Sequence, residues 1–288
     1  MGDVLAGIHA TWEFESDSVL IRFERGIRAP KLFQALRERR IPHEALETVT
    51  LSPGKRGTVV LHAVPRPGAD PLMDAAAGQL KESCDPYRLV LPAERETLAE
   101  YYADELRDAL PPDASEPAER HLVAAPEAPL NFKAYDGRAA FDGRQVTFRW
   151  FWTGASSEKW KAGDQTFPVA ALSGVEWRSP EVFDGHLRLL RREADGSASQ
   201  ADRDPASVVF GLGYGPVHES LPFAAAVLAA VRGGGGPSIP HQAVRVAAGR
   251  RDPADIAERI RHLGDLHRAG LVTDDEFSAK KAELLAEL

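Results

Sequence analysis

The chain is poor in the features that mark several whole classes of protein. It has 288 residues but one cysteine, Cys84, so no internal disulfide can form and a disulfide-rich secreted fold is excluded. Its most apolar run, 221–231, is too short to span a bilayer and contains Pro222. The net charge is −8, and no segment has the basic excess of a nucleic-acid module, so we expect no nucleic-acid partner.

Sequence motifs of catalysis, cofactor binding and metal binding are also absent. There is no complete GxGxxG, no GxxxxGK[ST], no HExxH and no paired Cys/His spacing. The glycine-rich stretch 211–215 predicts a turn rather than a nucleotide loop. We therefore expect no cofactor, no metal site and no enzymatic activity. The first residues lack the basic and apolar regions of a signal peptide, which predicts a cytoplasmic protein.

What the chain does contain is an internal repeat. Residues 1–110 and 132–232 share one order of apolar, turn and proline signals. The matched positions are Phe14 with Phe141, Val19 with Val146, Ile21 with Phe148, Ile41-Pro42 with Phe167-Pro168, Gly57 with Gly185, and Asp85-Pro86 with Asp204-Pro205. A match of this length predicts two copies of one small domain, because solenoid repeats are much shorter.

Each copy is predicted to be a run of strands closed by one helix. Residues 11–15 and 19–23 alternate in polarity around a turn, which is typical of a β-hairpin. Further strands are predicted at 46–51, 58–64 and 89–91, and helices at 92–110 and 220–232, with Pro222 in the first turn of the second helix. Strands followed by a single helix indicate an α+β class rather than alternating βαβ units.

Two segments of unusual composition separate the predicted parts. Residues 111–131 contain five prolines and four acids, which predicts a stiff, extended spacer. Residues 233–252 begin with four glycines, which predicts a flexible linker.

Residues 253–288 predict a helical hairpin. Gly270 suits the end of a first helix, and Thr273 with Glu276 forms a capping box for a second. A hairpin of this size cannot bury a stable core by itself, so its apolar stripe is predicted to be an interface for self-association or a protein partner. The predicted interface consists of Ile256, Ile260, Leu263, Leu266, Leu271, Phe277, Leu284 and Leu285.

This C-terminal pattern closely resembles SHOCT, a short C-terminal module of bacterial proteins. The residues that carry the resemblance are Ile260, Leu263, Leu266, Gly270, Leu271, Thr273, Glu276, Phe277, Lys280, Lys281 and Leu284. The resemblance implies an oligomerisation or interaction module without catalytic residues.

The two larger copies resemble a tandem actinobacterial domain of unknown function with a pleckstrin-homology-like fold. The resemblance is carried by Ile41-Pro42, Ala45, Val49, residues 68–72 (GADPL), residues 85–87, Phe167-Pro168 and residues 175–177. It implies two half-open β-barrels, each capped by a C-terminal helix, ahead of the C-terminal hairpin. The second copy departs from the pattern because it has no equivalent of GADPL.

Two groups of residues are candidate binding sites. The densest basic group consists of Arg22, Arg25, Arg28, Lys31, Arg37, Arg39 and Arg40. It predicts either a site for phosphate or anionic lipid or a solvated strand face, because arginine suits bidentate phosphate contacts. The aromatic group Trp150, Trp152 and Trp160 predicts either a partner surface or core packing.

Together these features predict a non-enzymatic binding or scaffold protein with two binding domains and a self-associating or partner-docking hairpin. The alternative is a peripheral membrane protein that binds anionic lipid head groups through the basic group. An enzyme with a site assembled from dispersed residues is the least supported alternative. The sequence leaves open whether the two copies pack together.

Overall fold

The computed structural model describes residues 3–192 and 200–233, which form a mixed α+β structure. Its strands are β1 (Asp3–Ala6), β2 (Ala10–Phe14), β3 (Ser18–Phe23), β4 (Glu38–Pro42), β5 (Leu46–Pro53), β6 (Thr58–Pro65), β7 (Arg88–Pro92), β8 (Leu130–Lys133), β9 (Gly137–Phe141), β10 (Gln145–Trp150), β11 (Gln165–Pro168), β12 (Leu172–Arg178), β13 (His186–Arg191) and β14 (Ser207–Val209). The helices are α1 (Lys31–Leu36), α2 (Pro71–Ala76), α3 (Glu96–Asp108), α4 (Ser157–Ala162) and α5 (Val217–Gly233).

The first copy, repeat 1, is built from two antiparallel sheets. One sheet has the order β1-β2-β3-β4 and the other β5-β6-β7, and α3 packs against the second sheet. The predicted hairpin is confirmed as β2 and β3, where Trp12 pairs with Ile21 and both side chains are fully buried. Alternation directs these side chains to one face, where they form the core together with Leu61 and Tyr87.

Repeat 2 has the same strand order, with sheets β8-β9-β10-β11 and β12-β13-β14 followed by α5. The pairing registers also agree: Phe14 pairs with Val19 in repeat 1 as Phe141 pairs with Val146 in repeat 2. The sequence matches that predicted the repeat therefore lie at equivalent sheet positions. No sheet closes into a complete barrel within the described ranges.

The two repeats form one compact body with a shared core. Helices α1 and α2 of repeat 1 pack on α5, and α2 also contacts β12. Leu72 on α2 and Phe223 on α5 are both fully buried in one apolar cluster. Gln79 adds two hydrogen bonds, since its Nε2 donates to the Trp177 carbonyl at 3.0 Å and its Oε1 accepts from the Ser179 N–H at 3.0 Å. We call this contact the joint.

Two predictions need correction. Residues 111–131 do not stand clear as a spacer: the N–H groups of Leu122 and Val123 donate to the Ala69 carbonyl, and Val123 is buried. Helix α5 begins at Val217, so Pro222 lies in its second turn rather than its first. Apolar burial accounts for both differences. Val123 is buried in the core of repeat 1, and Val217 packs against the apolar cluster that the two repeats share. The predicted hairpin 253–288 lies outside the described residues.

Candidate binding surface

The predicted basic group does not form one surface. Arg22 pairs with Glu13 at 3.3 Å, and Arg40 pairs with Glu15. Arg39 is buried, so its inclusion in a phosphate or lipid site was wrong. The exposed members without an ion-pair partner among the described residues are Arg25, Arg28, Lys31 and Arg37, all in or next to the β3–β4 connection.

Arg39 belongs instead to a buried polar cluster of repeat 1. Its Nη2 donates to Asp70 Oδ1 at 2.7 Å, and its Nε donates to the Tyr87 hydroxyl at 3.1 Å. That hydroxyl donates to Asp70 Oδ2 at 2.5 Å, and Asp70 Oδ1 also accepts the Leu72 N–H, which caps α2. Burial raises the pKa of Tyr87 well above 10.0. Burial alone lowers the pKa of Arg39, but Tyr87 and Asp70 raise it overall, so the guanidinium stays charged.

The aromatic group is divided between the core and the surface. Trp150 is buried and its Nε1 donates to the Gly163 carbonyl at 2.7 Å, so its assignment to a partner surface was wrong. Trp152 and Trp160 are half-exposed and meet edge to face, with ring centroids 5.6 Å apart. Since neighbouring strand residues face opposite ways, Trp150 enters the core at the end of β10.

Beneath Trp150 lies a second buried ion pair, which the sequence did not indicate. Lys159, on α4, is fully buried, with its Nζ 2.5 Å from Asp136 Oδ2 and 5.0 Å from the centroid of the Trp150 ring. Asp136 Oδ1 accepts the Val209 N–H at 2.9 Å. Burial lowers the pKa of Lys159 and raises that of Asp136, because both charged forms are desolvated. The pair fixes the turn between β8 and β9 and is sealed from solvent.

Further aromatic side chains lie on the same end of repeat 2. Tyr135 and Tyr214 are half-exposed, with ring centroids 6.1 Å apart. The Nζ of Lys133 lies 5.3 Å from the ring centroid of Phe151 and 5.8 Å from that of Tyr214. These contacts join the β8–β9, β10–α4 and β14–α5 connections into one aromatic rim.

Three large apolar side chains, on loops that border the space between the repeats, are almost completely solvent-exposed. Ile27 and Leu212 have relative exposures of 104% and 102%, and Phe183 of 87%. We call these three the tip residues. They lie on the connections β3–α1, β14–α5 and β12–β13, respectively. Ile27 and Phe183 were not predicted, because isolated apolar residues in loops carry no periodic signal. Residues 211–215, which include Leu212, were predicted only as a turn.

The three connections border one groove between the repeats, with a volume of about 350 Å³. Repeat 1 contributes Leu32, Leu80 and Cys84, and repeat 2 contributes Pro180 and Val217. Leu212 also lines the groove, whereas Ile27 and Phe183 lie on loops whose neighbouring residues line it. The lining is largely apolar, and Cys84, the single thiol, is only partly buried there.

Within residues 3–192 and 200–233, no group of three or more His, Cys, Asp or Glu side chains could hold a metal ion. None of the helices described there has the length and apolar character needed to cross a bilayer. The predicted interface residues Ile256, Ile260, Leu263, Leu266, Leu271, Phe277, Leu284 and Leu285 lie outside the described residues.

Comparison with known proteins gives a family but no activity. No curated protein matches the chain. A family model described as "Domain of unknown function (DUF4429)" matches residues 12–107 and again residues 139–228, which together exceed half of the chain. The two matches coincide with repeat 1 and repeat 2 as the sheets define them, so the chain belongs to the DUF4429 family and carries the domain in tandem.

Proposed function

We propose that this protein is a non-enzymatic binding protein in which two pleckstrin-homology-like repeats present a shared surface and a SHOCT-like hairpin self-associates. The observation that carries the proposal is the set of tip residues, which expose apolar side chains around a groove that both repeats build. Large apolar side chains that are almost fully exposed and grouped on loops around one apolar groove are typical of a surface that binds a partner. We place this protein in the bacterial cytoplasm, where the proposed binding surface can reach the inner face of the membrane.

The described ionisable clusters support binding rather than catalysis. Catalytic acids and bases must reach a substrate, yet Lys159 and Tyr87 are fully buried and each is engaged with a carboxylate of its own repeat. The groove at the joint is lined mainly by apolar side chains. Its shape and chemistry suit an apolar partner group better than a reacting polar substrate.

The arrangement of strands supports the pleckstrin-homology-like assignment. Each repeat has two antiparallel sheets of four and three strands followed by one helix, which is the architecture that the sequence resemblance implies. Because fold does not determine ligand, the assignment adds no partner by itself.

Self-association is tested by light scattering on the full chain. We expect an oligomer, and we expect Leu263→Asp to reduce the molar mass to that of one chain, because a buried unpaired carboxylate is costly. His262→Asp is the matched control, since it adds the same charge outside the predicted apolar stripe. A wild-type mass of one chain, or an unchanged mass in Leu263→Asp, would contradict the self-association.

A further inference from the structure

We propose that the groove between the repeats and the loops that border it form a membrane-docking surface, on which Ile27, Phe183 and Leu212 insert into the interface of an anionic phospholipid bilayer. This inference rests on the proposed function and names the partner of the same surface. It concerns side chains at loop tips from both repeats, and neither repeat alone presents all three.

The first argument is the degree of exposure. The tip residues expose 87–104% of their surface, whereas the next most exposed large apolar residue in the described ranges, Tyr101, exposes 53%. Ordinary surface apolar residues keep part of their side chain covered by neighbours. Three residues that are almost fully exposed, on three loops around one groove, form a distinct group.

The second argument is that the loops hold their tips in place. Ile27 and Leu212 lie inside turns, closed by the Ala29 N–H to the Gly26 carbonyl at 3.0 Å and by the Tyr214 N–H to the Gly211 carbonyl at 2.9 Å. Phe183 directly follows a turn that the Val182 N–H closes on the Ser179 carbonyl at 3.2 Å. The Leu212 loop also depends on Gly215, which has φ +62° and packs so closely on the Phe210 ring that a Cβ would clash. Fixed loops lose little conformational freedom when their tips are buried.

The third argument is the charge beside Ile27. Arg25, Arg28 and Lys31 are exposed and have no ion-pair partner in the described parts of the chain. Of the acids nearby, Glu181 is paired with Lys81 at 2.7 Å and Glu24 lies 3.9 Å from His9. Two further acids oppose them, Asp184 next to Phe183 and Glu219 beside His218 of the groove lining, and the three cations outnumber these two. Cations beside an inserted apolar side chain suit an anionic bilayer surface.

The fourth argument separates a bilayer from a protein partner. The tip residues lie on three separate loops, and Leu212 alone of the three lines the groove, so a protein partner would need a separate contact for each side chain. A fluid bilayer accommodates separate side chains without matching their shape. The half-exposed Tyr135 and Tyr214 beside Leu212 are the residue type that favours the boundary between lipid and water.

The experiment is co-sedimentation of the full chain with two kinds of vesicle, phosphatidylcholine alone and phosphatidylcholine mixed with phosphatidylglycerol. We expect binding to the mixed vesicles, weakened by salt because exposed charges are screened. Ile27→Ser, Phe183→Ser and Leu212→Ser should each weaken binding about tenfold, the loss expected for one buried apolar side chain. Arg28→Gln should reduce binding to mixed vesicles by a smaller factor.

Two matched controls change residues that do not line the groove. Leu190→Ser makes the same change at a half-exposed leucine of β13, and Arg144→Gln removes an exposed cation at the β9–β10 turn. Both should bind vesicles like the wild type. The tip residues are almost fully exposed, so thermal unfolding of their variants should match the wild type, which distinguishes lost docking from lost folding.

A direct readout is quenching of tryptophan fluorescence by brominated phosphatidylcholine included in the mixed vesicles. Leu212→Trp should show more quenching than the wild type, whereas Leu190→Trp should not. No vesicle binding by the wild type, or tip variants that bind as well as it does, would overturn the inference. If vesicle binding fails but self-association still depends on Leu263, the proposed self-association stands and only the bilayer is excluded as the partner.

Discussion

The two repeats share a strand order but carry different types of side chain on the equivalent loop. The β3–β4 connection of repeat 1 carries Arg25, Ile27 and Arg28, whereas the corresponding β10–β11 connection carries Trp152 and Trp160. The strands of the two repeats agree because strand register decides which side chains enter the core. A shift of one residue would turn all of these side chains outward. Loops are free of that constraint, so the two copies diverge where they face solvent.

The same comparison extends to the buried charges. Repeat 1 buries Arg39 with Asp70, and repeat 2 buries Lys159 with Asp136. The arginine stays charged and makes contacts to two partners, whereas the lysine has one carboxylate and a lowered pKa. The planar guanidinium can bridge two groups at once, and an ammonium on a flexible stem is more easily neutralised. The two repeats therefore respond differently to loss of a partner.

The largest effect is expected from Asp70→Ala in repeat 1. It leaves a buried arginine unpaired, removes the partner of Tyr87 and uncaps α2, so it should lower the free energy of unfolding by about 3–5 kcal/mol. Urea unfolding measures this. Asp104→Ala is the control, because its contact with Arg107 is exposed and should cost less than about 1 kcal/mol. A similar cost for the two variants would show that burial does not set the difference.

The counterpart in repeat 2 is Lys159→Met. It should cost about 3 kcal/mol at neutral pH, because Asp136 is left buried without its cation. The pKa of Asp136 is already raised, and loss of the cation raises it further. A carboxyl with a raised folded pKa binds a proton more readily in the folded state, so the deficit should shrink as the pH falls through that pKa toward 3.8.

This pH dependence is measured by urea unfolding of the variant and the wild type across the acidic range. Arg144→Met, which removes an exposed cation from the same repeat, should show no such pH dependence. A deficit for Lys159→Met that stays constant or grows as the pH falls would argue against protonation of Asp136.

The smallest effect concerns the joint. Burial alone raises the pKa of Asp74, but hydrogen bonds from His121 and the Gly68 N–H, together with the charge of Arg232, lower it overall. A lowered folded pKa contributes stability above the unfolded value of 3.8, and this is lost as the pH falls through the folded pKa. Asp74→Asn should therefore lower thermal stability at neutral pH, by no more than about 1 kcal/mol.

The expected signature is a difference in Tm between Asp74→Asn and wild type that disappears in acid. Asp108→Asn, at an exposed position of α3, should show no difference at any pH. If the Asp74→Asn difference persisted in strong acid, the ion pair with Arg232 would not be its source.

Parts of this fold with strong local patterns could be predicted. The period-two alternation around residues 16–18 predicted the β2–β3 hairpin, and the apolar spacing of residues 92–110 predicted α3. The short helices α1, α2 and α4 were not predicted, because six residues carry less than two turns of periodicity. The surface was predicted only in part: Trp152 and Trp160 are exposed, whereas Trp150 and Arg39 are buried.

Sequence by itself determined the repeat and the strand register, because both depend on which residues alternate along the chain, as Phe14 and Phe141 do. Tertiary structure decided that α2 packs on α5 and that Arg39 and Lys159 are buried with carboxylates distant in sequence. It also decided that the loops carrying Ile27, Phe183 and Leu212 border one groove. The reason is that burial and exposure are properties of contacts between remote segments. A single loop isoleucine or lysine has the same local sequence signal whether the fold covers it or leaves it in water.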